Sequence, residues 1–223
     1  MGTAQRFQLP STGVVMQCDG YADASDLLFD IDSYGNKIPA LIDYFLRRDR
    51  ERFSRFVESM KSLIPGLEDV NVRTPDPQTR RIDLVIEKGF SIPASSASVG
   101  VRLMLFFAAL AQHPTPPNLI LLEEPENGVH PKRLADVMRL LRELTQGKHG
   151  QNAAQVILTT HSPYLLDHVN VEEDQVLVFR RNDDGSRSAE PADQERLRGF
   201  LDEFMLGEVW FNRGEEGLVA KKP

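Results

Sequence analysis

The chain has 223 residues, with 26 Lys and Arg against 33 Asp and Glu, so its formal net charge is -7. A hydrophobic share of 41% with 26% charged residues is typical of a globular protein and excludes a chain that is disordered over most of its length. The acidic balance also excludes a protein wholly dedicated to coating nucleic acid. Cys18 is the single cysteine, so we expect no internal disulfide and a reducing compartment.

No N-terminal stretch combines a basic segment with an apolar signal core. The longest apolar run, Leu103 to Ala111, is far shorter than the roughly 20 residues that a membrane helix needs. We therefore expect a soluble, cytoplasmic protein with no membrane contact.

Residues 1–30 show no clear period and receive no structural assignment. From Asn36 onward, apolar residues recur at spacings of three and four, which predicts one helix that Pro65-Gly66 ends. Its opposite face mixes both charges and is expected to be solvated; it carries Arg47, Arg48, Arg50, Glu51, Arg52, Arg55 and Glu58. Two strand-like runs, Val70 to Arg73 and Ile82 to Glu87, then predict a hairpin.

The following section predicts a strand–helix–strand unit. A helix opens at Ser98 and runs to about Gln112, and an all-apolar run, Leu119 to Leu122, follows it. An amphipathic helix starting at Pro131 separates that run from a second one, Val156 to Leu158. Apolar residues at every strand position are typical of a buried parallel sheet, so the pattern indicates a βαβ crossover.

Two further elements are predicted near the end of the chain. Val176 to Phe179 is a third candidate strand, and a helix is expected from about Gln194 to Met205.

The first apolar strand ends in the acidic residues Glu123, Glu124 and Glu126. Ligands of parallel sheets bind just beyond the carboxyl ends of the strands, and carboxylates placed there need a positive partner. Mg²⁺ bound to phosphate suits them: one carboxylate holds the metal while its neighbour deprotonates an attacking water. A solvated acidic turn is the simpler alternative.

Two other features can contribute to the same edge. His161 follows the second apolar strand and can donate a hydrogen bond to a phosphate oxygen, although single histidines are more often structural. Ser98 and Gly100 open a helix, where unpaired amides favour anions, but Ser98 equally fits a plain N-cap.

Several motifs resemble those of ABC/SMC-type ATPase heads, and most closely the AAA, RecF-like and OLD-like ATPases of bacterial defence and toxin–antitoxin systems. LILLEEPENGVHP, from Leu119 to Pro131, resembles the Walker B and D-loop region. LTTHSPYLLD, from Leu158 to Asp167, is similar to the switch-histidine segment, and SVGVRLMLFFAALA, from Ser98 to Ala111, to the signature helix. Weaker similarity extends the match to about residues 30–217.

The resemblance implies an α/β, P-loop NTPase-like parallel sheet with flanking helices, which uses ATP and Mg²⁺. It gives Glu123 the place of the Mg²⁺-associated acid, Glu124 that of the general base and His161 that of the γ-phosphate switch. Ser98 and Gly100 match the signature that contacts the nucleotide of a dimer partner. The D-loop that helps to pair the subunits is matched by Glu126, Asn127 and His130.

Two departures from the family pattern bear on these roles. The signature is degenerate, with Ala97 at the usual Leu position and Val99 between Ser98 and Gly100. No G-x-x-x-x-G-K-[ST] phosphate loop occurs in the sequence, and Gly35-Asn36-Lys37 lacks its spacing. We expect a head whose N-terminal lobe, with the Walker A loop, is missing from this chain.

Taken together, four segments are expected: an unassigned segment 1–30, a helix plus hairpin 31–90, an ABC-ATPase core 91–180 and a helical tail 181–223. The favoured function is ATP binding and hydrolysis in a head dimer, or in a complex with a chain that supplies the missing lobe. DNA, a nuclease or a toxin is the expected downstream partner. The alternative is a regulatory or interaction module that keeps the fold without binding nucleotide alone. A stand-alone metal-dependent nuclease is disfavoured, because only one acidic cluster is evident.

Overall fold

The computed structural model describes residues 4–9, 16–19, 31–182, 184–201 and 203–219. The chain forms two compact units, Met1–Thr159 and Thr160–Pro223. No helix in these described ranges is both long and apolar enough to cross a membrane.

The N-terminal unit contains seven strands and four α-helices within its described ranges. The strands are β1 (Ala4–Phe7), β2 (Gln17–Asp19), β3 (Leu67–Arg73), β4 (Thr79–Ile86), β5 (Phe90–Pro93), β6 (Leu119–Glu123) and β7 (Gln155–Thr159). The helices are α1 (Ile38–Arg48), α2 (Arg50–Leu63), α3 (Val99–Ala111) and α4 (Leu134–Thr145).

A three-stranded parallel sheet of order β1-β6-β7 carries the predicted βαβ unit. Strand β6 pairs with β7 from Leu119 opposite Gln155 to Glu123 opposite Thr159, and α4 connects the two strands. This confirms the predicted crossover, but the expectation of a sheet buried on both faces is wrong, because alternate positions of β6 and β7 are half-buried or exposed. Strand β1 lies in segment 1–30, which the sequence left unassigned, and it pairs with the other edge of β6.

The two faces of the parallel sheet differ in burial. On one face Phe7, Ile120 and Leu122 are buried, and the Phe7 ring packs edge-on against Phe106 of α3 at 5.4 Å. The alternate positions of all three strands are exposed or half-buried, and Ile157 keeps 49% of its surface accessible. The polar side chains of this open face are Arg6, Glu123, Gln155 and Thr159.

A second, antiparallel sheet is built around β4. It pairs with β3 over the predicted hairpin, which is confirmed, and with β2 and β5 along its other edge. Cys18 lies on β2 opposite Arg80, where burial raises the pKa of its thiol to about 11. The thiol is therefore protonated at neutral pH and unreactive.

The single helix predicted from Asn36 to Pro65 is wrong in its continuity. Lys37 occupies the N-cap of α1, and the chain leaves the helical region at Asp49, with φ -141° and ψ 76°. The Asp49 carboxylate accepts a hydrogen bond from the Arg52 amide at 3.0 Å, so Asp49 caps a separate second helix.

The C-terminal unit has its own hydrophobic core. Its elements are α5 (Pro163–Leu166), β8 (Leu177–Arg181), β9 (Arg187–Pro191), α6 (Gln194–Leu201) and α7 (Leu206–Arg213). The core consists of Leu166, Val171, Val178, Leu197, Leu206, Val209, Leu218 and Val219.

The third candidate strand exists as β8, but it pairs antiparallel with β9 in a two-stranded hairpin and not with the parallel sheet. The predicted tail helix starts at Gln194, but it ends at Leu201 because Met205 already caps α7.

Candidate functional site

Glu123 and Glu124 lie at the carboxyl end of β6, the middle strand of the parallel sheet. Glu123 is the last residue of the strand and pairs with Thr159 of β7. Glu124 has a φ of 42°, in the left-handed region that a residue with a side chain seldom adopts. Such a conformation costs about 1–3 kcal/mol and persists only where the surroundings enforce it.

Two neighbours hold Glu124 in this conformation. Its amide donates a hydrogen bond to the Thr159 carbonyl oxygen at 3.0 Å. The Asn127 side-chain amide donates to Glu124 Oε2 at 2.6 Å, and the Asn127 backbone amide donates to the Glu124 carbonyl oxygen at 3.0 Å. The carboxylate therefore has one oxygen fixed by Asn127.

Glu123 points to the open face of the sheet, where its carboxylate forms an ion pair with the guanidinium of Arg6 on β1. Both side chains are partly accessible, Arg6 at 58% and Glu123 at 38%. The two adjacent carboxylates thus have different partners: Glu123 faces a cation, and Glu124 faces a neutral amide.

Ser98 and Gly100 are close to the same loop through the start of α3. Ser98 is the N-cap, and its hydroxyl oxygen accepts a hydrogen bond from the Val101 amide at 3.4 Å. A Cβ added at Gly100 would lie 3.2 Å from the Gly128 carbonyl oxygen. Gly100 therefore permits close packing of α3 on the 124–130 loop, and Ser98 has a structural role as a cap.

His161 belongs to the C-terminal unit and comes two residues after the end of β7. It is exposed and precedes Ser162, the N-cap of α5. His130 lies in the segment that resembles a D-loop. Its Nδ1 accepts a hydrogen bond from the Lys132 amide at 3.2 Å.

The donor set suits Mg²⁺ held jointly with phosphate better than an all-protein metal site. In the described part of the chain, no group of three or more His, Cys, Asp or Glu is placed to hold a metal ion. Mg²⁺ is commonly bound through one or two carboxylates plus substrate phosphates, which matches Glu123 and Glu124. In this structure the cation beside Glu123 is the Arg6 guanidinium, which a metal ion at this carboxylate would have to displace.

Two residues of this site were missed by sequence reasoning. Arg6 lies in a strand of four residues, too short to show a period. Thr159 ends β7, and its carbonyl group holds the Glu124 backbone. Its position after an apolar run was a usable signal, because it predicts the same edge of the sheet as Glu123.

The fold has relatives among solved ATPase heads. A chain from work on ATP-driven dimerization and DNA-stimulated activation of SMC ATPases matches at 17% identity and a TM-score of 0.51, covering 73% of this chain and 96% of that one. The Smc head of Pyrococcus furiosus, bound to the C-terminal domain of ScpA, matches at 14% identity and a TM-score of 0.52. An SmcHead bound to the C-winged helix domain of ScpA matches at 16% and 0.53.

The two ScpA-bound heads are matched over 73% of this chain, which spans only 39% and 50% of their own lengths. These likenesses confirm the predicted fold class, a P-loop NTPase fold with a parallel sheet and flanking helices. No curated protein matches the chain.

A family model described as "AAA domain, putative AbiEii toxin, Type IV TA system" matches residues 18–167. The matched region contains the two strands of the βαβ unit, the acidic edge and the start of α3. Since the match extends over more than half of the sequence, the chain belongs to this family of AAA domains.

Proposed function

We propose that this chain hydrolyses ATP as part of an ABC/SMC-like head, with the nucleotide bound between two heads. The observation that carries the proposal is the strained backbone of Glu124, whose carboxylate Asn127 holds at the carboxyl end of the central strand of the parallel sheet. Strain at such an edge is typical of functional positions, and a solvated acidic turn has no need of it.

Each candidate residue has a role in this proposal. Glu124 accepts the proton of the attacking water, and Asn127 orients the Glu124 carboxylate. Glu123 holds Mg²⁺, which when bound would offset negative charge on the phosphates. His161 donates a hydrogen bond to the γ-phosphate. Ser98 and Gly100 present the start of α3 to the nucleotide of the partner head.

The proposed partners follow from the same roles. ATP binding needs a phosphate loop, and no G-x-x-x-x-G-K-[ST] motif occurs in residues 1–223, so we propose a partner chain that supplies this loop. The similar solved heads are described in terms of ATP-driven dimerization, DNA-stimulated activation and binding of ScpA. We propose a second head and DNA as partners here, and in addition a nuclease or toxin that the head controls.

Replacing Glu124 by Gln tests the general base. In a complex of this chain with the protein encoded directly upstream, we expect E124Q to lower the rate of ATP hydrolysis by at least ~100-fold, the usual contribution of a positioned base. The Kd for Mg-ATP should stay unchanged, because Gln keeps the shape of the side chain and the contact with Asn127. Single-turnover hydrolysis and calorimetry measure the two quantities.

Glu173→Gln is the matched control, because Glu173 is an exposed carboxylate of the C-terminal unit. This variant should hydrolyse ATP at the wild-type rate. If E124Q turned over as fast as E173Q, Glu124 would not be the base.

The second candidate function is a regulatory or interaction module that keeps the ATPase fold but does not bind nucleotide alone. The absence of a phosphate-loop motif from the printed sequence favours it. Titration with Mg-ATP, with and without the upstream product, separates the two candidates. Binding by the chain alone or only with that product supports the ATPase, whereas no binding in either case supports the module.

A further inference from the structure

Arg6 and Glu123 form a side-chain pair across the two strands at the open face of the parallel sheet. Arg6 lies opposite Leu121 of β6, and residues opposite each other in parallel strands project to the same face. Glu123 is two residues further along β6, so it shares that face. The guanidinium therefore extends along the sheet toward the edge where the strands end.

The pair uses the carboxylate that the proposed function assigns to the metal. Arg6 contacts Oε1 of Glu123, while the opposite neighbour, Thr159, carries no charge. A divalent cation at Glu123 needs the same negative charge and is repelled by the guanidinium beside it. Both side chains are partly exposed, so the ion pair is weak enough for a metal to replace it.

We propose that Arg6 is a positioning residue that competes with the divalent metal for Glu123, so that the metal binds only when it displaces the arginine. This inference rests on the metal role of Glu123 given above. Arg6 keeps the carboxylate aimed at the open face when no metal is bound, and it raises the metal concentration that the site requires.

Metal binding by the whole chain without nucleotide tests this competition. Mn²⁺ is the probe, because it replaces Mg²⁺ at oxygen ligands and free Mn²⁺ is counted directly by electron paramagnetic resonance. We expect Arg6→Gln to bind Mn²⁺ about 5-fold more tightly than the wild type, which corresponds to about 1 kcal/mol. Arg6→Lys keeps the charge and loses the planar fork, so its Kd should lie between those of the wild type and R6Q.

Arg48→Gln is the matched control, because it removes the same charge from an exposed position at the end of α1. Its Kd should equal that of the wild type, and thermal melts of every variant should show that the chain stays folded. Equal Kd values for R6Q, R48Q and the wild type would overturn the proposal.

Glu123→Gln separates this failure from failure of the proposed function. If E123Q abolishes Mn²⁺ binding while R6Q leaves it unchanged, Glu123 holds the metal and Arg6 does not compete. If E123Q leaves Mn²⁺ binding unchanged, the metal role of Glu123 fails and the competition fails with it.

Discussion

Arg52 is buried, although the charged face of its helix is expected from the sequence to be solvated. Its guanidinium donates to the carbonyl oxygen of Gln112, the C-cap of α3, at 2.7 Å, and to the Asp49 carboxylate at 3.0 Å. A cation at a helix C-terminus interacts favourably with the helix dipole. Burial opposes ionisation of Asp49, but the hydrogen bonds and charge of Arg52 outweigh it and lower the pKa of this carboxyl.

His113 is the most deeply buried titratable group near Arg52. Burial, followed by the positive charge of Arg52, lowers the pKa of its imidazole to about 3. Its Nδ1 accepts a hydrogen bond from the Thr115 amide at 3.2 Å. In the unfolded chain the pKa of histidine is about 6.5. Protons therefore bind the unfolded chain more readily, and acid destabilises the fold.

This asymmetry predicts a pH dependence of stability. The contribution of His113 is fully present above pH 6.5 and is lost as the pH falls toward 3, so a drop from pH 7 to pH 5 should remove about 2 kcal/mol. His113→Asn keeps an acceptor for Thr115 but does not titrate. Urea unfolding at both pH values should show a loss smaller by this amount in H113N, and equal losses would contradict a neutral buried imidazole.

At the scale of elements, the first turn of α3 and the loop after β6 interlock through two glycines. Gly128 has a φ of +85°, and a Cβ there would lie 2.7 Å from Val99 Cγ1. Gly100 in turn leaves room for the Gly128 carbonyl oxygen. The contact connects the signature-like helix to the loop that carries Glu124 and Asn127.

Alanine substitutions measure how much the packing of Gly128 against Val99 contributes to the stability of the fold. Gly128→Ala should destabilise the fold by more than the ~1–3 kcal/mol of a left-handed residue, because it also clashes with Val99. Gly89→Ala is the matched control, since Gly89 has a φ of +75° with no atom within 4 Å of an added Cβ. Val99→Ala should relieve the clash, so chemical denaturation of V99A/G128A should give less than the sum of the single effects.

The elements that the sequence predicted well have a period or an apolar run longer than a few residues. Strands β6 and β7 and helix α4 meet this condition, so the βαβ unit and its acidic edge were predictable. Strand β1, with four residues, was not, and Arg6 was missed with it. The break at Asp49 was missed because apolar residues keep their helical spacing through both α1 and α2.

Some features of the site depend on contacts that no local pattern encodes. The positive φ of Glu124 is enforced by Thr159, which is 35 residues away in the chain. Pairing of β8 with β9 is different, because it is local. Residues 182–186 connect the two strands, and a short polar loop with a glycine is a hairpin signal that the sequence already contained.

For the whole molecule, the open face of the parallel sheet is the most consequential feature. Parallel sheets are normally covered on both faces, yet Leu121 is half-buried here and Ile157 is exposed. Exposed apolar surface of this kind favours association with another protein surface. A second head or a chain carrying the phosphate loop would provide such a surface.

We therefore expect the isolated chain to self-associate through this face. Ile157→Lys should shift the mass measured by light scattering toward the monomer, because it places a charge among the apolar residues. Phe90→Lys is the control, since Phe90 is 67% exposed but lies on the antiparallel sheet. A monomeric wild type, or equal effects of I157K and F90K, would exclude association through this face.

The strained backbone at Glu124 also implies a conflict between catalytic activity and thermal stability at this position. A glycine at this position would adopt a φ of 42° without the strain of ~1–3 kcal/mol, which exceeds the entropic cost of ~0.5–1 kcal/mol that glycine adds, so the fold would gain stability by losing the carboxylate. Laboratory selection for heat resistance alone would thus favour replacement of the residue that we propose as the base. Any stabilised version of this chain needs a screen for turnover beside the screen for melting temperature.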